Sequence, residues 1–112
     1  MDSMLSEMGR RIMERRKQLR LSQEEVAERA ELTPQTISTA ETGRKALRPE
    51  NIIKVCAALD ISPDYLLLGN ITNVDTSILS EKVSQLTPGQ YRHLEEIIDN
   101  YIAAVKEARQ QM

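Results

Sequence analysis

Ser22-Gln23-Glu24-Glu25-Val26-Ala27-Glu28-Arg29-Ala30-Glu31-Leu32-Thr33-Pro34-Gln35-Thr36-Ile37-Ser38-Thr39-Ala40-Glu41-Thr42-Gly43 is the stretch on which the fold turns. Ser22 with Glu25 three residues on is a capping box. In such a box the hydroxyl takes the amide of the third helical residue, and the carboxylate reaches back to the cap amide. Val26, Ala27 and Ala30 then give a thin apolar face, so a helix is expected from Ser22 to about Ala30. Glu31-Leu32-Thr33 reads as a turn. Thr33 offers a second cap, and Pro34 takes the first helical position, where its missing N–H costs nothing. This second helix is expected to run to about Thr42, with Gly43 as the left-handed residue that ends it.

Two short helices joined by so short a turn form a helix-turn-helix arrangement. Ala27 is small where the two helices must cross, Leu32 plugs the turn, and Ile37 anchors the second helix. Pro34, Gln35, Thr36, Ser38, Thr39 and Thr42 are left around the rest of it. Solvated helix faces are normally rich in Lys and Glu, yet this one is short, uncharged and hydrogen-bonding. Threonine is also a poor helix former, so the helix depends on packing. Glutamine can bond both edges of adenine, and threonine offers a hydroxyl and a methyl that meets the thymine methyl. Such a face suits base edges in a major groove.

Outward from this pair, punctuation continues. A first helix is expected from about Leu5 or Met8 to Leu19, with Ile12, Arg16 and Leu19 on one face. Arg44 to Arg48 read as a basic loop. Pro49 opens a fourth helix to about Leu59, with Ile52, Ile53, Val55, Cys56, Ala57 and Leu59 mostly inward. Ser62-Pro63-Asp64 starts a fifth, stopped by Gly69-Asn70. Ile71 to Thr76 read as a polar linker, followed by a short helix over Ser77 to Gln85. Thr87-Pro88-Gly89-Gln90 is another capped start, for a last helix from about Pro88 to Gln110. Its apolar positions Tyr91, Leu94, Ile98, Tyr101, Val105 and Ala108 step alternately by three and four, a heptad seam.

The composition agrees with an all-α chain. There are three Tyr and no Phe or Trp, so the core must be Leu, Ile, Val, Met and Ala. The net charge of −2 argues by itself against a nucleic-acid partner. The distribution argues the other way. Between Met8 and Arg48 there are ten basic residues against six acidic ones, and from Ile71 onward four against six. One cysteine excludes an intrachain disulfide framework, and one His with it leaves no zinc cluster, so no metal or cofactor is expected. Nucleophile–base pairs and glycine-rich phosphate loops are absent, and no enzymatic activity is expected. No apolar run approaches the roughly 20 residues of a membrane span, and Met1 to Met8 lack a signal peptide's layout. A cytoplasmic, membrane-free protein is the expectation.

Four stretches then carry a resemblance. Gln18-Leu19-Arg20-Leu21-Ser22-Gln23-Glu24-Glu25-Val26-Ala27, then Thr36-Ile37-Ser38 with Glu41-Thr42-Gly43-Arg44, then Ala58-Leu59-Asp60-Ile61-Ser62-Pro63-Asp64-Tyr65-Leu66-Leu67 resemble the lambdoid phage repressor and Cro (Xre-type) helix-turn-helix regulators. The likeness covers about Met8 to Gly69. It implies a five-helix domain bound to a near-palindromic double-stranded operator. By position it implies Gln23 on a phosphate, Gln35 and Thr36 on bases, Thr39 one turn on, and Arg44 and Lys45 on the backbone. Ser38 is open to base or phosphate, and Arg11 and Arg15 are further phosphate candidates. Arg16 and Glu41 match an ion pair that holds the recognition helix; a phosphate contact is the alternative for Arg16. Ala40 departs from the larger apolar residue of many relatives, so helix 3 packs loosely or a neighbour fills the space.

Two regions are expected: residues 1–70 as the DNA-binding domain and 71–112 as a dimerisation or interaction region. The last helix cannot leave its stripe in water, since each large apolar side chain buried is worth roughly 1.5–3 kcal/mol. A helical hairpin mating with its twin through Tyr91, Leu94, Ile98, Tyr101 and Val105 is expected. With no effector domain remaining, a partner protein or ligand at these helices is also open. The readings to separate are a homodimeric repressor, an antitoxin-type regulator, and an interaction adaptor that has kept the fold without DNA binding.

Overall fold

The Leu21 carbonyl, in the connector after the first helix, accepts from Arg16 Nη1 at 3.0 Å, and side-chain caps mark several of the helix starts that follow. The computed structural model describes residues 3–110; Met1 and Met112, the outer limits of the two expected regions, lie outside them. Among the described residues the elements are all helical: α1 (Ser3–Gln18), α2 (Gln23–Ala30), α3 (Pro34–Glu41), α4 (Pro49–Leu59), α5 (Pro63–Leu68), α6 (Asn73–Val83) and α7 (Pro88–Gln110). Ser22 and Glu25 form both halves of their box. Thr33, Ser62 and Thr87 cap α3, α5 and α7 through their hydroxyls. Gly43 and Gly69 take left-handed φ values of 73° and 80° after α3 and α5.

The described residues fall into two units, one through Ile78 and one from Leu79 onward. In the first, α1 packs on α3, α4 and α5, and α2 packs on α3 and α4. Ile12, Val26, Ile37, Val55, Leu59 and Leu66 are wholly buried at these contacts. The α1–α3 crossing is close. A Cβ on Gly9 would stand 2.4 Å from the carbonyl oxygens of both Ala40 and Glu41. The small Ala40 is thus matched by a missing side chain on α1, and the two backbones nearly touch.

Three expectations need correction. Helix α1 begins at Ser3, ahead of Leu5. On α4, Ile53 is 65% exposed and Ala57 is also exposed, while Ala58 is buried. The run Ile52-Ile53 exceeds the width of one buried stripe, and the 100° step leaves one member outside. The polar stretch before residue 77 is no linker: α6 starts at Asn73 and ends at Val83, ahead of the expected Gln85. Thr72 N and Oγ1 donate to Asp75 Oδ2 at 2.9 and 3.1 Å, a cap with its partner three residues on. Ser62 N and Oγ donate to the same carboxylate at 2.9 and 2.7 Å. Burial disfavours the Asp75 charge, but these four bonds outweigh it and hold the carboxyl below its ordinary value.

The second unit holds the end of α6 and all of α7, and no residue of α6 or α7 is buried. Tyr91, Ile98 and Tyr101 are exposed, with Leu94 and Val105 half-buried. No helix among the described residues is long and apolar enough to cross a membrane.

Candidate nucleic-acid interface

Helix α3 is held from behind and open in front. Ile37 and Ala40 are buried against the core. Gln35 is exposed, and its carboxamide makes no hydrogen bond within the described chain. Thr36, Ser38 and Thr39 are half-buried, and Thr42 is exposed. The hydroxyls are less free than a sequence suggests. Thr39 Oγ1 donates back to the carbonyls of Gln35 and Thr36 at 3.0 and 3.1 Å, and Thr42 Oγ1 to that of Thr39 at 3.1 Å. Thr36 Oγ1 shares a proton with Thr33 Oγ1 at 2.8 Å. A hydroxyl that donates to its own helix keeps its lone pairs. Thr39 and Thr42 are therefore acceptors, suited to amino groups such as adenine N6 or cytosine N4.

A groove of about 270 Å³ runs between α3 and the start of α4, lined by Gln35, Thr36, Thr39, Lys45, Ala46, Leu47, Arg48 and Asn51. It brings together three of the sequence-predicted base readers with one predicted backbone contact. Ser38, Arg44 and Gln23 lie outside it. Arg48 and Asn51 are additions that sequence reasoning missed; their signal was the proline-opened helix start just behind the basic loop. Among the described residues, Arg44, Lys45 and Arg48 enter no ion pair, whereas Arg10 is bound to both Glu7 and Glu14. The cations beside α3 therefore keep their full field for an outside anion.

Arg16 and Glu41 form a bidentate pair: Nε to Oε2 at 2.6 Å and Nη2 to Oε1 at 3.0 Å. Only 4% of the Glu41 side chain is exposed. Hydrogen bonding to Glu41 raises the Arg16 pKa against the opposing effect of burial. Gln23 Nε2 also donates to Glu41 Oε1, at 3.1 Å. Arg11 and Arg15 require correction as phosphate candidates. Arg11 Nη1 donates to the Leu66 carbonyl, and Arg15 Nε and Nη2 to those of Leu59 and Asp60. They satisfy open carbonyls at the ends of α5 and α4, a role set by contacts far apart in the chain.

Cys56 is buried, and burial, with a smaller effect of Asp75, pushes its thiol up to about 11. A buried thiol raised in this way carries little of the reactive thiolate at neutral pH. No group of three or more His, Cys, Asp or Glu among the described residues is placed to hold a metal.

A helix-turn-helix family model matches residues 12–66 of the chain. Eight chains of solved structures are similar, among them the following three. The restriction-modification controller protein C.AhdI from Aeromonas hydrophila is 35% identical, over 55% of this chain and 94% of that one, with a TM-score of 0.54. The P22 c2 repressor, solved in complex with synthetic operator 9T, is 36% identical over 56% of this chain and 96% of that one, with a TM-score of 0.55. The clp gene regulator ClgR from C. glutamicum is 26% identical over 61% and 88%, with a TM-score of 0.55. No curated protein sequence matches the chain.

Proposed function

Since the chain belongs to the lambdoid phage repressor and Cro-like (Xre-type) family of helix-turn-helix transcription regulators, we propose that it is a repressor that binds a near-palindromic DNA operator as a homodimer. Residues 1–70 are the DNA-binding domain and 71–112 the dimerisation region, and the protein works in the cytoplasm. In this reading α3 lies in the major groove. Gln35 reads a base edge bidentately, with Thr36 and Thr39 accepting from neighbouring amino groups. Lys45 and Arg44 neutralise phosphates after the helix, Gln23 and the start of α2 meet a phosphate before it, and Ser38 borders both. Tyr91, Leu94, Ile98, Tyr101 and Val105 of α7 join two copies, which sets two α3 helices about 34 Å apart, one turn of DNA. A dimer seated within a promoter excludes polymerase.

The observation that carries this reading is the exposed, uncharged α3 face beside cations that no acid of the described chain pairs. A repressor 36% identical was solved on a synthetic operator, which adds support. The test is selection of bound sequences from a random DNA pool with the full chain. An enriched sequence with two-fold symmetry is expected. Gln35→Ala then relaxes the preference at one position per half-site and costs about 1–3 kcal/mol. Lys45→Ala weakens every sequence alike and lowers the salt slope by about one. No enriched sequence and a flat salt response would leave the adaptor reading in its place.

The exposed α7 stripe also supports a second reading, an antitoxin-type regulator whose α7 covers a toxin rather than its twin. A toxin-like reading frame beside the gene, and a stable heteromeric complex with its product, distinguish the two.

A further inference from the structure

The Glu41 carboxylate is the meeting point of four pieces of backbone. Glu41 is the last residue of α3 and Gln23 the first of α2. Arg16 comes from α1 and also donates, through Nη1, to the Leu21 carbonyl in the connector at 3.0 Å. Gln23 Nε2 and Arg16 Nη2 share Glu41 Oε1, at 3.1 and 3.0 Å. A carboxylate only accepts, so the carboxamide must turn its nitrogen to Glu41 and cannot flip its oxygen there. That nitrogen carries two hydrogens in a fixed plane. One is taken by Glu41, and the second has no acceptor among the described residues.

The second hydrogen sits at the start of α2. There the Ser22 hydroxyl takes the Glu25 amide, while among the described residues no bond occupies the Gln23 and Glu24 amides. Arg16 neutralises the Glu41 carboxylate locally, while Glu24 and Glu25 stand exposed in the same first turn of α2. We propose that Glu41 is a positioning residue for DNA binding: it holds the Gln23 amide so that its free N–H points at a backbone phosphate, completing a chain from Arg16 through Glu41 and Gln23 to the DNA. This rests on the reading above that the start of α2 meets a phosphate, and it adds that Gln23 keeps its bond to Glu41 when it does so. The contact is then pre-aimed, and no side-chain freedom is lost on binding.

The test is a cycle on the full chain, with DNA recovered by selection with the unmodified protein as the probe. Gln23→Ala should weaken binding roughly tenfold, the value of one hydrogen bond to a charged group. Replacing Arg16 and Glu41 together, as R16M with E41L, avoids an unpaired buried charge. In that background Gln23→Ala should cost less than about twofold, because the amide is no longer aimed. A merely structural role for Glu41 would weaken binding without changing the Gln23→Ala ratio, and an equal ratio in both backgrounds overturns the proposal. Should R16M/E41L fail to fold, the side-chain amide resonances of Gln23 in the unmodified protein decide. One hydrogen should shift on adding DNA while the other stays; both shifting alike overturns the proposal. No salt-dependent binding by the unmodified protein removes the underlying DNA-binding reading instead.

Discussion

Helix α1 and helix α7 are both amphipathic, yet one is covered and the other is not. α1 buries Met8, Gly9 and Ile12 within a unit whose central side chains are wholly enclosed. α7 is longer, at 23 residues, and buries none; its Tyr101 is 71% exposed. The two lie in separate units of the chain. Periodicity shows that a helix has a face to be covered, but not what covers it. Three further helices, α3, α4 and α5, supply that cover for α1 within the first unit. A seam stepping by three and four is half of a coiled pair, complete only when another helix brings the facing knobs.

Cutting at this contrast should give the largest effect. A chain ended after Ile78 should remain folded by circular dichroism and sediment as a monomer, where the full chain is expected to sediment as a dimer. With two half-sites no longer linked, operator affinity should fall by about 100-fold or more. A truncated chain that stays dimeric would break the contrast and place the interface in the first unit.

Within the first unit, Glu41→Ala should cost about 3–5 kcal/mol in a denaturant melt, because it strands the Arg16 charge in a partly buried site. R16M with E41L should be near neutral by the same measurement. Gly9→Ala should cost about 1–3 kcal/mol through overpacking against the Ala40 and Glu41 carbonyls. Propensity alone predicts the reverse, a gain of roughly 0.5–1 kcal/mol. A stabilised variant would show that α1 and α3 can separate without loss.

The smallest loss from a single substitution should come from Asp75, whose folded-state pKa is the depressed one. Its stabilisation is therefore complete above the ordinary value of 3.8 and disappears as pH falls through the lower folded value. Asp75→Asn should cost about 1–2 kcal/mol at neutral pH, from weakened bonds to Ser62 and Thr72. The gap between variant and parent in thermal melts should close as pH drops below the ordinary value. A gap that widens in acid would show that the carboxyl is favoured in its neutral form.

Much of this was legible because capping chemistry acts within one turn. Ser22 with Glu25, Thr33 before Pro34, Ser62 before Pro63, and Thr87 with Gln90 each mark a helix start from neighbours alone. Thr72-Asn73-Val74-Asp75 obeys the same grammar and was readable, but its polarity looked like a linker. The uncharged face of α3 was also legible, although the back-donation of Thr39 and Thr42 was not, since a sequence does not orient a hydroxyl. Arg11 and Arg15 looked free because the carbonyls they meet lie 55 and 44 residues away.

The order of the helices, their caps, the lack of strands among the described residues and the amphipathic stripe of α7 all follow from residues within a turn or two of each other. Only the folded chain decided that Gly9 lets α1 meet α3 at the backbone, that Ile53 stays outside while Ala58 goes in, and that Gln23 joins Arg16 on the Glu41 carboxylate. The physical reason is range: propensity and capping are local, whereas close approach and shared hydrogen bonds exist only once distant segments have been brought together.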